Sequence, residues 1–154
     1  MPEGVHKYVE SPDFTILLFA YSVDFGPVEG VDFACGEELP PEIYEALYDP
    51  EVEKTAYNAP FERTTIGKYF NRYCPPEQWD CTMVLASCCG LPLGLKAVGE
   101  ALELSEDKAK MKVGADLIKY FCMPCKPTKK NGGRTRTLPS DDPEKWHLFK
   151  EYNR

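Results

Sequence analysis

The sequence predicts an α/β fold in which a mixed sheet is flanked by helices, and three features point that way. Residues 14–23 (FTILLFAYSV) form an almost unbroken apolar, aromatic-rich run, the pattern of a strand buried on both faces. At Asn58 the pattern changes to apolar residues three and four apart, so a strand runs directly into a helix. The 154 residues are 43% hydrophobic and 12% aromatic, enough to bury one core and to argue against disorder.

The elements follow in order. Pro12-Asp13 and Asp24-Phe25-Gly26-Pro27 bound the first strand. Residues 28–34 place Val28, Val31 and Phe33 among polar neighbours, which suits the second strand of an antiparallel hairpin. Pro40 and Pro41 open a short helix through Leu47, and residues 52–58 (VEKTAYN) read as a further strand. Asn58 can cap a helix whose first turn holds Pro60 and whose apolar positions are Phe61, Ile66, Tyr69, Phe70 and Tyr73. Residues 79–89 are a compact apolar run, and Leu95, Val98 and Leu102 mark an amphipathic helix ending before Ser105. Asp142-Pro143-Glu144 is a helix start, followed by Trp146, Phe149 and Tyr152 at spacing three. Residues 125–139 are the one linker-like stretch, too polar for core.

The formal charge of −7 conceals a division. Residues 1–60 hold thirteen acidic side chains against two basic ones, whereas residues 61–154 hold twelve against sixteen. An acidic average does not decide nucleic-acid binding; clustering of positive charge on one loop does. No run of eighteen apolar residues exists and the N-terminal residues lack the apolar stretch of a signal peptide, so a soluble, cytoplasmic protein is expected, with no membrane partner. Seven cysteines, two of them adjacent, do not form a secreted disulfide framework, and reduced thiols are expected.

Four groups of residues could carry chemistry. Glu62 lies in the first helical turn after a strand, where α/β folds build sites and where a carboxylate could bind a divalent metal; it could equally serve only the helix dipole, with Asn58 as a plain cap. Residues 126–136 (KPTKKNGGRTR) carry five cations and no acid, namely Lys126, Lys129, Lys130, Arg134 and Arg136, with Gly132-Gly133 allowing close backbone approach. That is a phosphate-binding composition, or else a solvated mobile loop. Cys122 and Cys125 have the spacing of half a zinc site, against the commoner outcome of small buried cysteines. Tyr152 is either a site residue or a core aromatic in step with Trp146 and Phe149. A Walker loop, a GxSxG elbow and HExxH are all absent, which excludes the enzyme classes built on them.

The segments GVHKY (4–8), FTILLFAY (14–21), NAPFE (58–62), LPL (91–93), YFCMPCKPT (120–128), NGGRTR (131–136) and DPEKW (142–146) span essentially the whole chain. In them the sequence resembles the 3′–5′ proofreading exonuclease module of phage and prophage family A DNA polymerases. Such modules are DEDD-type exonucleases with a ribonuclease H-like fold. The resemblance implies one partial exonuclease-like domain over residues 1–154, with a basic loop at 126–137, whose partners are single-stranded DNA or a primer 3′ end and the remainder of the polymerase. It also implies Mg²⁺ or Mn²⁺ as the intact family's metal, Glu62 and Tyr152 as catalytic residues with Glu62 as metal ligand, and Asn58, Phe61 and the five loop cations at the nucleic acid.

The family chemistry needs four carboxylates holding two ions about 4 Å apart. The family's Asp-x-Glu motif has no counterpart here, Glu62 stands where Asp is more usual, and the Tyr-x-x-x-Asp motif beginning at Tyr152 lacks its Asp. One ligand of four remains, so the isolated chain is expected to bind no metal stably and to show no useful nuclease activity. The missing first strand is central in this family, which leaves sheet edges to be closed by direct pairing of residues 14–23 with residues 52–58, by the N-terminal residues, or by a second copy of the chain. A non-catalytic structural or protein-interaction domain and a small zinc-binding module are the competing expectations.

Overall fold

The computed structural model describes residues 4–104, 113–129 and 131–154. The chain groups into two compact units, one formed by Met1–Ile16 with Leu39–Ala109 and the other by Leu17–Glu38 with Lys110–Arg154.

In the first unit, α1 (Gly4–Val9) packs on α3 (Ala59–Tyr69). Tyr8 of α1 stacks on Phe61 and meets Phe14 edge to face, so aromatic rings supply that contact. The helix α2 (Pro41–Ala46) starts on a proline, whose fixed φ and missing N–H suit a first turn. The strands β3 (Lys54–Ala56) and β4 (Trp79–Cys81) pair in parallel, with Lys54 opposite Trp79 and Ala56 opposite Cys81. Each strand feeds a helix within three residues: β3 leads into α3, and β4 directly into α4 (Thr82–Cys88). The helix α5 (Leu95–Ala101) completes the unit, whose buried side chains include Leu47, Tyr48, Ile66, Cys74 and Val98. Lys54 is buried as well. Its ammonium donates to Asp49 O at 2.5 Å, Val52 O at 2.8 Å and Gln78 Oε1 at 3.2 Å, which compensates its loss of water.

The second unit is built on a hairpin. The strands β1 (Leu18–Tyr21) and β2 (Glu29–Asp32) run antiparallel with Phe19 opposite Val31. The helices α6 (Gly114–Cys122) and α7 (Pro143–Asn153) pack together, and α7 lies against both strands. Leu117, Phe121, Trp146 and Phe149 form the buried centre, with Leu17, Leu18, Tyr120 and Tyr152 around it. Asp142 caps α7 by accepting from Lys145 N at 3.1 Å, as the Asp-Pro start predicts.

Several expectations are corrected. The described strands form two two-stranded sheets, one antiparallel and one parallel, in place of a single mixed sheet. The run 14–23 is not one strand buried on both faces: only Leu18–Tyr21 is extended in a ladder, Ala20 is exposed, and Phe14 is drawn onto Tyr8 instead. The strand expected over 52–58 shrinks to Lys54–Ala56, because Val52 O is taken by the Lys54 ammonium and residues 57–58 turn. Residues 79–89 divide into β4 and α4.

Candidate nucleic-acid interface

In the first unit the site residues gather where β3 gives way to α3. Asn58 takes the left-handed conformation (φ 71°, ψ 47°), which lets the chain reverse into the helix. Asn tolerates that conformation far better than β-branched or bulky residues do. The capping expected of its side chain does not occur; its backbone carbonyl accepts from Phe61 N at 2.8 Å instead. Phe61 has one ring face taken by Tyr8. Glu62 follows in the first turn, half-buried, with Oε2 shielded from solvent and given no hydrogen-bond partner. Burial pushes its carboxyl above the usual range, a backbone hydrogen bond opposing this only in part.

Cys81 ends β4 beside this junction. Burial would raise its thiol, but the backbone N–H groups of Val84, Ala59, Asn58 and Met83 outweigh that and bring it below the ordinary range. Helix starts thus supply donors to a thiol that spacing alone gave no reason to single out.

The metal that the resemblance implies does not fit the donors present. An orphaned carboxylate oxygen is what a cation would satisfy, yet among the described residues no group of three or more His, Cys, Asp or Glu converges on one point. Two-ion chemistry needs several bridging oxygens. The same finding leaves Cys122 and Cys125 without further zinc ligands among the described residues, and Cys125 Sγ instead accepts weakly from Asn131 Nδ2 at 3.6 Å.

In the second unit the described residues of the cationic loop form a hydrogen-bonded turn. Asn131 is its centre: Oδ1 accepts from Thr128 N at 2.8 Å and Gly133 N at 3.2 Å, while Nδ2 donates to Lys126 O at 3.0 Å and Arg134 O at 3.1 Å. Gly132 and Gly133 serve the turn itself, at φ 66° and 77°. Cys125 N donates to Thr135 O at 2.7 Å and closes the loop. Lys126 and Lys129 are exposed, Arg136 is half-buried, and Lys130 lies outside the described residues. Arg134 is committed: its guanidinium forks onto Asp141 at 3.0 and 2.7 Å. Asp141 also accepts from Leu138 N at 2.7 Å, so this pair fastens the loop to the turn before α7. Neither Asn131 nor Asp141 stood out from composition, since an amide and an acid among cations signal no phosphate contact. Tyr152 belongs to the rim of the aromatic core, its ring parallel to that of Phe149.

The structure therefore shows two features separate in sequence, an acidic strand-to-helix junction and a cationic turn, in a chain of mixed helices and small sheets. Against known proteins, the chain is 55% identical over 149 residues to a protein described as "DNA polymerase" from Bacillus phage SP02. The match covers 97% of this chain and 23% of the phage protein, so the chain spans about a quarter of that relative's length. No family model matches, and no solved structure matches. No described helix is long and apolar enough to cross a membrane.

Proposed function

We propose that the chain corresponds to the proofreading-exonuclease part of a DNA polymerase, binds single-stranded DNA weakly, and does not by itself cleave it. The observation that carries this reading is the 55% identity to a phage DNA polymerase over nearly the whole chain. The strand-to-helix junction with its half-buried Glu62, whose Oε2 has no hydrogen-bond partner, supports it, because that is where the family resemblance puts a metal-binding acid. The inactivity follows from the single carboxylate: two-ion hydrolysis of a phosphodiester has nothing to hold its second ion. The exposed Lys126 and Lys129, with Arg136, are the contacts to phosphate, and the binding is electrostatic. Remaining polymerase sequence is the natural partner, and Mg²⁺ or Mn²⁺ the metal of the assembled site.

The test is titration of a labelled single-stranded oligonucleotide at several salt concentrations. Removing one phosphate-binding cation should flatten the plot of log affinity against log salt by about 0.7. Lys126→Gln with Lys129→Gln is expected to do so twice over, whereas Arg134→Gln should act mainly on loop order. Unchanged binding in the double variant, or trimming of the oligonucleotide in magnesium by the purified chain, would refute the reading.

A further inference from the structure

The tip of the β1–β2 hairpin carries a residue that its own backbone disfavours. Asp24 and Phe25 both have positive φ, 49° and 60°, at the corners of a tight turn closed by Gly26 N donating to Val23 O at 2.8 Å. Such a turn is the form that favours Asn-Gly or Asp-Gly at its corners. A bulky side chain at positive φ is a genuine outlier, of the kind retained where something other than local stability holds it. The turn is nevertheless well built, with Ser22 Oγ donating to Gly26 O at 2.8 Å. Gly26 cannot be replaced easily, since a Cβ there would lie 2.9 Å from Val23 O.

Phe25 gains nothing from the fold in return. Its exposure is 105%, so it touches essentially none of its own chain, and Val23 and Val28 beside it are 56% and 46% exposed. The tip is thus an apolar knob on a strained but defined support. The charge around it selects the partner. Asp24 at the turn and Glu29 at the tip end of β2 are the charges nearest the knob, while Asp32 lies buried at the base of the hairpin and Arg154 lies beside Gly30. The Asp24 and Glu29 carboxylates disfavour a polyanion and favour a socket with basic residues at its rim.

We infer that Phe25 is a docking knob that inserts into an apolar, basic-rimmed socket on the remainder of the polymerase. This rests on the reading above: the phage relative has three-quarters of its length outside the matched region, which supplies a protein surface for the knob. A buried aromatic anchor surrounded by a charged rim is the usual arrangement of an energetic centre in such contacts.

The experiment uses a hybrid in which this chain replaces the 149 matching residues of the phage SP02 polymerase. A photo-cross-linking phenylalanine analogue stands at position 25. Irradiation is expected to link position 25 to a peptide outside the 154 residues, one with Lys or Arg beside apolar side chains. Phe25→Gly is expected to act in opposite directions in two settings. It should raise the thermal midpoint of the 154-residue chain by a few degrees, by relieving the turn. In the hybrid it should release the segment to limited proteolysis at least tenfold faster. Adducts confined to the 154 residues, adducts joining two copies, adducts with an added oligonucleotide, or an unchanged proteolysis rate would each overturn the inference. Oligonucleotide binding through Lys126 and Lys129 is measured on the same hybrid, so that loss of the cross-link with binding intact removes the docking knob and leaves the polymerase reading standing.

Discussion

The indole nitrogen of Trp146 donates a 2.7 Å hydrogen bond to the carboxylate of Asp32, a buried contact between residues 114 positions apart. Asp32 is 2% exposed, accepts also from Cys35 N at 3.0 Å and has the Lys150 ammonium at 3.6 Å. A buried carboxylate is costly unless so provided for, and here helix α7 supplies two of its partners to the hairpin. Trp146→Phe removes one donor and should cost about 1–3 kcal/mol. Asp32→Ala leaves the buried indole N–H without its acceptor, Lys150 being exposed enough to turn to water, and should cost about 1–3 kcal/mol. Urea denaturation at constant slope checks both, and the double variant should fall short of their sum.

Gly114 and Tyr152 make a second test. A Cβ on Gly114 would fall 1.9 Å from Tyr152 Cε2, too close for any side chain. Helix propensity alone favours Ala over Gly by about 1 kcal/mol, whereas overpacking costs about 1–3 kcal/mol. The clash should win, so Gly114→Ala is expected to lower stability. In a Tyr152→Ala background the same substitution should become neutral or stabilising, a reversal of sign measurable by thermal denaturation.

The turn centred on Asn131 should be sensitive out of proportion to its exposure. Asn131→Ala removes both acceptor and donor bonds and is expected to speed amide hydrogen exchange at Thr128 and Gly133. Oligonucleotide affinity should fall a few-fold although no cation is removed, because Lys126 and Lys129 then scatter. Equal exchange in variant and parent would show that the backbone holds the turn unaided.

Glu62 gives a pH dependence of defined sign. Its folded carboxyl ionises at higher pH than an unfolded one, whose value is about 4.3. The stability it contributes is therefore complete below the unfolded value and is lost as pH rises through the folded one. Glu62→Gln should abolish that decline, leaving the variant more stable than the parent at neutral pH and level with it in acid. Denaturation midpoints measured from pH 3.5 to 7.5 decide it.

Parts of this molecule were legible before the structure. The Asp142-Pro143 helix start, the hairpin around Gly26-Pro27 and the passage from strand to helix at Asn58 each carry local chemistry, and each element stands close to its expected place. Helix α6 was missed although Leu117 and Phe121 lie four apart on its buried face, because the neighbouring Pro and Lys residues dominated the composition of the region. The N-terminal helix carrying Tyr8 is illegible for a different reason: at six residues it is too short for a periodic pattern, and its support is the distant ring of Phe61. Sheet pairing was the least legible: which strand pairs with which depends on partners far along the chain, and two separate ladders were not foreseen. At the candidate interface the cations were visible as composition, but the bond between Arg134 and Asp141 was not. It needs a turn to bring residues seven apart into a fork.

Position 58 has a narrow alphabet. The left-handed backbone there, with φ at 71°, must be reached before the first turn of the following helix can start, and its side chain contributes no capping bond. Randomising that codon and sorting for folded product should return chiefly glycine, asparagine and aspartate, with valine and isoleucine eliminated, whatever the purpose of the carboxylate four residues downstream.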